Sequence, residues 1–225
     1  MSLQVHNAVG WALVLVTLGM IGFWVPPEVE GLRGSYLIFF FHFPSAINCL
    51  NFFVIAGLIS AVYLCRPRRS GLDLWAATAV EVGVVACTVT LVTGSIWAKC
   101  AWNTFWNFRD KRLLTVAIMW FTYLGYLALR STLEDPEKRS RFCAVFAVIA
   151  ALNVPLVYFA LRWFPEGRTH PMEVDLRQTS MIVTRWVGTL AFLLLYTALW
   201  RLRHKLSAVR HSVDQLEESY GRVGI

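Results

Sequence analysis

The run Leu74–Trp97, LWAATAVEVGVVACTVTLVTGSIW, holds one charged side chain, Glu81, in 24 residues. As a helix it spans about 36 Å, enough to cross a hydrocarbon core of ~30 Å. The chain then changes character over Ala98–Leu113, AKCAWNTFWNFRDKRL. From Trp97 to Phe108, five aromatic rings (Trp97, Trp102, Phe105, Trp106, Phe108) fall within twelve residues. Lys99, Arg109, Lys111, Arg112 and one acid, Asp110, surround them. Charges at that density do not belong in hydrocarbon. The segment reads as a wet, aromatic platform at a bilayer surface, between two spans, where flat rings can meet a flat ligand.

Outward from this pair the same pattern repeats. The chain has 225 residues, 57% of them hydrophobic and only 16% charged. Six spans are expected, at about Val9–Val25, Tyr36–Cys65, Leu74–Trp97, Leu113–Ser131, Phe142–Trp163 and Met181–Trp200. The fold class is therefore an all-α polytopic membrane protein, a bundle of six transmembrane helices. The first run has no basic n-region and no small-residue cleavage site, so it reads as a retained span. Residues 1–200 form the membrane domain, with the aromatic loop at 97–113. Residues 201–225 form a polar tail, in which Leu206, Val209, Val213 and Leu216 recur at the spacing of a short helix.

Six spans place both termini on one side. The loops on that side and the tail carry twelve Lys and Arg, against eight in the other set. The positive-inside rule then puts both termini in the cytoplasm and the aromatic loop outside. The same rule accounts for the net charge of +7. No soluble basic domain exists to carry nucleic acid, so nucleic-acid binding is excluded as a reading. Half of the outer basic charge sits in the aromatic loop, which suggests an anionic ligand there.

Cys49, Cys65, Cys87, Cys100 and Cys143 form no CxxC and no zinc spacing. Cys49, Cys87 and Cys143 lie in apolar runs and read as small buried side chains. Among five histidines, His6, His204 and His211 read as solvated groups on the cytoplasmic side. His42 differs, because it lies within FFFHFPSA near the outer end of the second span. An ionisable group there is a functional candidate by default. His170 lies in the third outer loop, PEGRTHPM, between two prolines. His42, His170 and the aromatic loop share one membrane face. Two neutral imidazoles can ligate haem iron axially. Tryptophan and phenylalanine cover a porphyrin's apolar surface, and Arg or Lys can pair with its propionates.

These residues resemble the haem exporter protein C family, which belongs to a haem-handling superfamily with a tryptophan-rich "WWD" loop. The resemblance rests on Leu91–Lys99 (LVTGSIWAK), Trp102–Leu113 (WNTFWNFRDKRL) and His42–Ala46 (HFPSA). Tyr123–Tyr126, Glu134–Lys138, Asn153–Pro155 and Thr169–Pro171 add to it. It implies a protein of the bacterial cytoplasmic membrane that holds haem b as cargo on its periplasmic face. It implies His42 and His170 as axial ligands. Trp97, Trp102, Phe105, Trp106 and Phe108 would line the haem, Asp110 would be the loop acid, and Arg109 and Arg112 would supply the cations. It also implies partners: a membrane-anchored haem chaperone and ATP-binding cassette subunits of the cytochrome c maturation system. The expected role is binding and delivery, not catalysis. The loop departs from the family pattern W-G-x-W-W-x-W-D-x-R-L. Phe105 and Phe108 stand for tryptophans, Asn103 stands for glycine, and Arg109 precedes a displaced acid.

Three other readings compete less well. A synthase-type subunit of the other cytochrome c assembly system would be longer. A cytochrome b-type respiratory subunit would need histidine pairs deep in the spans, where only His42 lies. A solute transporter would need buried carboxylates beyond Glu81, which reads more simply as a satisfied polar contact.

Overall fold

The computed structural model describes residues 2–26, 33–66, 71–164, 166, 176 and 178–223. Helix α1 (Leu3–Phe23) starts at Ser2, whose side chain accepts a hydrogen bond from the Val5 N–H at 3.3 Å. A 3₁₀ stretch (Arg33–Ile38) leads into α2 (Phe39–Cys65). Then follow α3 (Leu72–Trp102), α4 (Lys111–Thr132), α5 (Pro136–Ala151), α6 (Asn153–Trp163) and α7 (Thr179–Val223). Among the described residues, six segments are long and apolar enough to cross a membrane, with α5 and α6 together forming the fifth. The all-α, six-span architecture expected from the sequence is the one observed.

The boundaries differ in instructive ways. The fifth span begins at Pro136, six residues before the expected Phe142, because Asp135 caps the helix through the N–H groups of Glu137 and Lys138. It is also broken at Leu152, between α5 and α6. Pro155 lacks the N–H that would bond to the Ala151 carbonyl, which accounts for the break. Helix α3 continues past Trp97 to Trp102, so Trp97 projects from a helix and not from the loop. Helix α7 runs through the expected tail without interruption, for 45 residues. That is about 68 Å, roughly twice the thickness of a hydrocarbon core.

Helix α2 is the hub, packing along α3, α5 and α7, while α1 lies on α7 and α4 on α6, α3 and α5. The core joins Phe52, Phe53, Val80, Met119, Tyr123 and Tyr126. Phe53 stacks on Tyr123 at 3.7 Å between ring centroids, over a groove that requires Gly83: a Cβ there would lie 2.6 Å from the Phe53 ring. Two ion pairs tie the opposite end. Arg130 grips Asp73 bidentately at 2.6 and 2.8 Å, and Arg203 grips Glu81 at 2.5 and 3.1 Å. Glu81 is thus a paired carboxylate between α3 and α7.

Cys49, Cys87 and Cys143 are buried and unbridged, as small interior side chains. Two histidines are not the solvated groups expected. His6 is buried between Thr197 Oγ1 (2.9 Å) and the Arg201 guanidinium (3.1 Å). Arginine only donates, so His6 Nδ1 accepts and Nε2–H donates to Thr197. His204 stacks on Trp75 at 3.6 Å and 12°. His6 packs on α7, and His204 is carried by α7 beyond its apolar run onto Trp75 of α3, contacts that hydropathy alone does not reveal. The His211 side chain lies outside the described residues.

Candidate functional site

The Phe39 end of α2, the Trp102 end of α3, the Lys111 end of α4 and the Val157–Tyr158 part of α6 enclose a cleft of about 270 Å³, or about 1330 Å³ of empty space with open solvent included. Apolar side chains dominate it, among them Phe39, Phe43, Leu50, Leu91, Met119 and Val157. His42, Trp97, Trp102, Trp106 and Arg112 also line it. One cleft therefore gathers five of the residues singled out from the sequence.

His42 sits in the first turn of α2, with its ring edge-on to Trp97 at 6.0 Å. Its Nδ1 lies 3.1 Å from Thr93 Oγ1 on α3. The Thr93 hydroxyl is 2.7 Å from the Val89 carbonyl and 3.3 Å from that of Thr90, so its single proton is committed to its own helix. Thr93 therefore accepts, and His42 Nδ1 must carry the hydrogen. In the neutral ring Nε2 then carries the basic lone pair, which is the tautomer a metal ligand requires. The next residue, Gly94, lets α3 approach: a Cβ there would lie 2.9 Å from His42 Cε1. The run Thr93-Gly94 thus fixes both the tautomer and the position of the ring.

Trp97 is 3% exposed and makes an aromatic row with Phe39, His42 and Trp102. Its indole Nε1–H has no hydrogen-bond partner among the described residues. The same is true of Arg112 Nε, although Arg112 also donates to the Tyr158 carbonyl at 3.2 Å. Two buried donors of this kind cost free energy unless something accepts from them. A carboxylate or carbonyl bound in the cleft would do so.

The loop beyond α3 folds on its own polar groups. Asn103 ends the helix in the left-handed region (φ 55°) and accepts from Lys99 Nζ at 2.7 Å. Asparagine tolerates that conformation better than most residues, so it can stand where the family pattern has glycine. Thr104 Oγ1 donates to the Trp106 carbonyl, and Asn107 Oδ1 accepts from the Arg109 N–H. Asp110 is fully buried and caps α4, accepting from the N–H groups of Arg112 (3.0 Å) and Leu113 (3.4 Å). It does not line the cleft. Its observed work is to start the helix that carries Arg112.

Phe105 and Phe108 are 59% and 76% exposed, and with Arg109 they lie outside the cleft lining. Lys99 covers the Phe105 ring at 5.5 Å. The aromatic loop therefore splits: Trp97, Trp102 and Trp106 face the cleft, while Phe105 and Phe108 face outward. His170 lies outside the described residues. Among the described residues, no three His, Cys, Asp or Glu side chains cluster as a metal site.

Residues 2–220 match the family model described as "Heme exporter protein C". The chain is 28% identical to the "Heme exporter protein C" of Bradyrhizobium diazoefficiens over 216 residues, covering 91% of this chain and 79% of that protein. It is 28% identical to the protein of the same name from Escherichia coli over 212 residues, covering 89% and 85%. A "Putative cytochrome c biosynthesis ccmC-like mitochondrial protein" of Marchantia polymorpha is 31% identical over 154 residues, covering 68% and 64%. With its six spans, its aromatic cleft and a family match over nearly its whole length, the chain belongs to the heme exporter protein C family.

Proposed function

We propose that this protein binds haem in the cleft at the outer ends of α2, α3, α4 and α6, and hands it on for cytochrome c maturation. The observation that carries the reading is His42 itself. It is an imidazole at the wall of an aromatic cleft, with Nδ1 tied to Thr93, which sets the neutral tautomer that carries the ring's lone pair on Nε2. Haem is cargo here, of the b type because no covalent attachment motif is present. His42 and His170 are the proposed axial ligands. Trp97, Trp102 and Trp106 meet the macrocycle. Arg112 and the Trp97 indole N–H are suited to its propionates, since both hold buried donors without partners among the described residues.

The cleft fits delivery as well as binding. The cleft is partly open, so one edge of a flat ligand would stay accessible. Phe105, Phe108 and Arg109, exposed on the loop between α3 and α4, would offer a membrane-anchored haem chaperone a surface to meet. We assign no bond-making step to the chain. The proposed setting is the bacterial cytoplasmic membrane, with both termini cytoplasmic and the cleft facing the periplasm. ATP-binding cassette subunits of the maturation system are the proposed partners, following the family assignment.

The test is haem content. The full chain purified in detergent should carry haem in the wild type, and His42→Ala should reduce it at least about tenfold, as loss of a coordinating ligand implies. Equal haem in wild type and His42→Ala would overturn the reading.

A further inference from the structure

The part of α7 that extends beyond its apolar run presents a seam that the haem reading does not use. Leu199, Leu202, Leu206, Val209, Val213 and Leu216 follow one another at intervals of 3, 4, 3, 4 and 3 residues. This is the a/d alternation of a coiled coil. Leu206, Val209, Val213 and Leu216 are 55%, 63%, 45% and 57% exposed, so the seam is uncovered within the chain. Residues 201–223 alone extend it by about 34 Å. No Pro or Gly occurs from Arg201 to Tyr220, so the helix has no residue at which to bend flat onto the bilayer.

The flanks decide the occupant. In this register Lys205 takes a g position and Arg210 the following e position. Two copies of the chain in one membrane would place these helices parallel. Lys205 of each would then face Arg210 of the other, with no attractive g–e pair to offset it, since the next is Ser212 with Glu217. A second copy is therefore disfavoured. We infer that residues 199–217 of α7 are a docking helix for a partner helix that has an apolar heptad seam flanked by Glu or Asp. The apolar seam supplies association, and the acid flanks opposite Lys205 and Arg210 select the partner. This surface is on the end of the bundle opposite the cleft and does not depend on what the cleft binds.

The probe is a labelled four-heptad peptide with Leu at a and d and Glu at e and g, titrated against the full-length protein in detergent by fluorescence anisotropy. Saturable binding is expected. Val209→Asp should weaken it by about tenfold or more, as loss of one buried seam position implies. Ser207→Asp, which adds the same charge off the seam, should not. Five results would overturn the inference. The first is equal binding of a peptide with Ser in place of Leu, which would leave charge alone. The second is equal binding of a peptide with Lys flanks. The third is an unchanged affinity in Val209→Asp. The fourth is preferential protection of the tail from protease by vesicles containing phosphatidylglycerol, which would assign the face to lipid. A concentration-dependent dimer abolished by Val209→Asp would equally assign it to a second copy.

Discussion

Substituting Gly94 by Ala tests the coupling between α3 and His42 with the smallest possible change. The added Cβ would lie 2.9 Å from His42 Cε1 and 3.4 Å from Nδ1. Carbon atoms pack ordinarily at about 3.5–4.0 Å, so the ring must retreat by about 0.6–1.1 Å. A retreat of that size stretches the 3.1 Å contact between His42 Nδ1 and Thr93 Oγ1 beyond hydrogen-bond range. Overpacking of one methyl costs about 1–3 kcal/mol, and replacing Gly by Ala within a helix returns up to about 1 kcal/mol. Global stability should therefore fall by no more than about 3 kcal/mol. Haem affinity should fall further, by about 10- to 100-fold, because both the position and the tautomer support of an axial ligand are lost. The assay is a Soret titration of haem into the detergent-solubilised apoprotein, with thermal unfolding measured in parallel. Wild-type affinity in a folded Gly94→Ala protein would refute the argument, since the ring would then not be where haem needs it.

Thr93→Val keeps the shape of the side chain and removes the acceptor for His42 Nδ1. Haem affinity should fall by about tenfold and recover in Thr93→Ser, read by the same titration. Asp110→Ala removes the α4 cap and should lower stability by about 1 kcal/mol, seen as a lower Tm, while Asp110→Asn keeps most of it. If Asp110 acts only as a cap, the haem spectrum of the Asn variant should match wild type. Glu81→Gln breaks a half-exposed ion pair with Arg203; it should cost less than about 1 kcal/mol in unfolding assays and leave haem binding intact.

The six spans were legible because a membrane demands long apolar runs, and such runs are visible without tertiary information. Their ends were not. Asp135-Pro136 is a cap signal lying outside the apolar run of α5, and the hydropathy reading passed over it. The break at Leu152 was signalled by Pro155, but continuous hydropathy hid it. The site was legible in its residue types: His42, Trp97, Trp102, Trp106 and Arg112 do meet in one cleft. Which rings face inward was not legible, because that depends on where α3 stops. Five more residues of helix bring Trp102 beside Trp97 at the cleft, and beyond the turn at Asn103 Phe105 and Phe108 face outward. Asp110 matched a loop acid by position, but the geometry gives it a cap. In the sequence Thr93 and Gly94 are only two small residues within LVTGSIWAK. Their effect on His42 needed the α2–α3 contact to become visible, because the residues are about fifty positions apart in the chain.

The low-spin absorption spectrum of the purified, haem-loaded protein tests the central claim most directly, measured for wild type, His42→Ala and His170→Ala. Axial coordination by two imidazoles predicts sharp reduced α and β bands in the wild type, and their loss or conversion to a high-spin spectrum in each variant. A wild-type spectrum retained in His42→Ala would contradict the account.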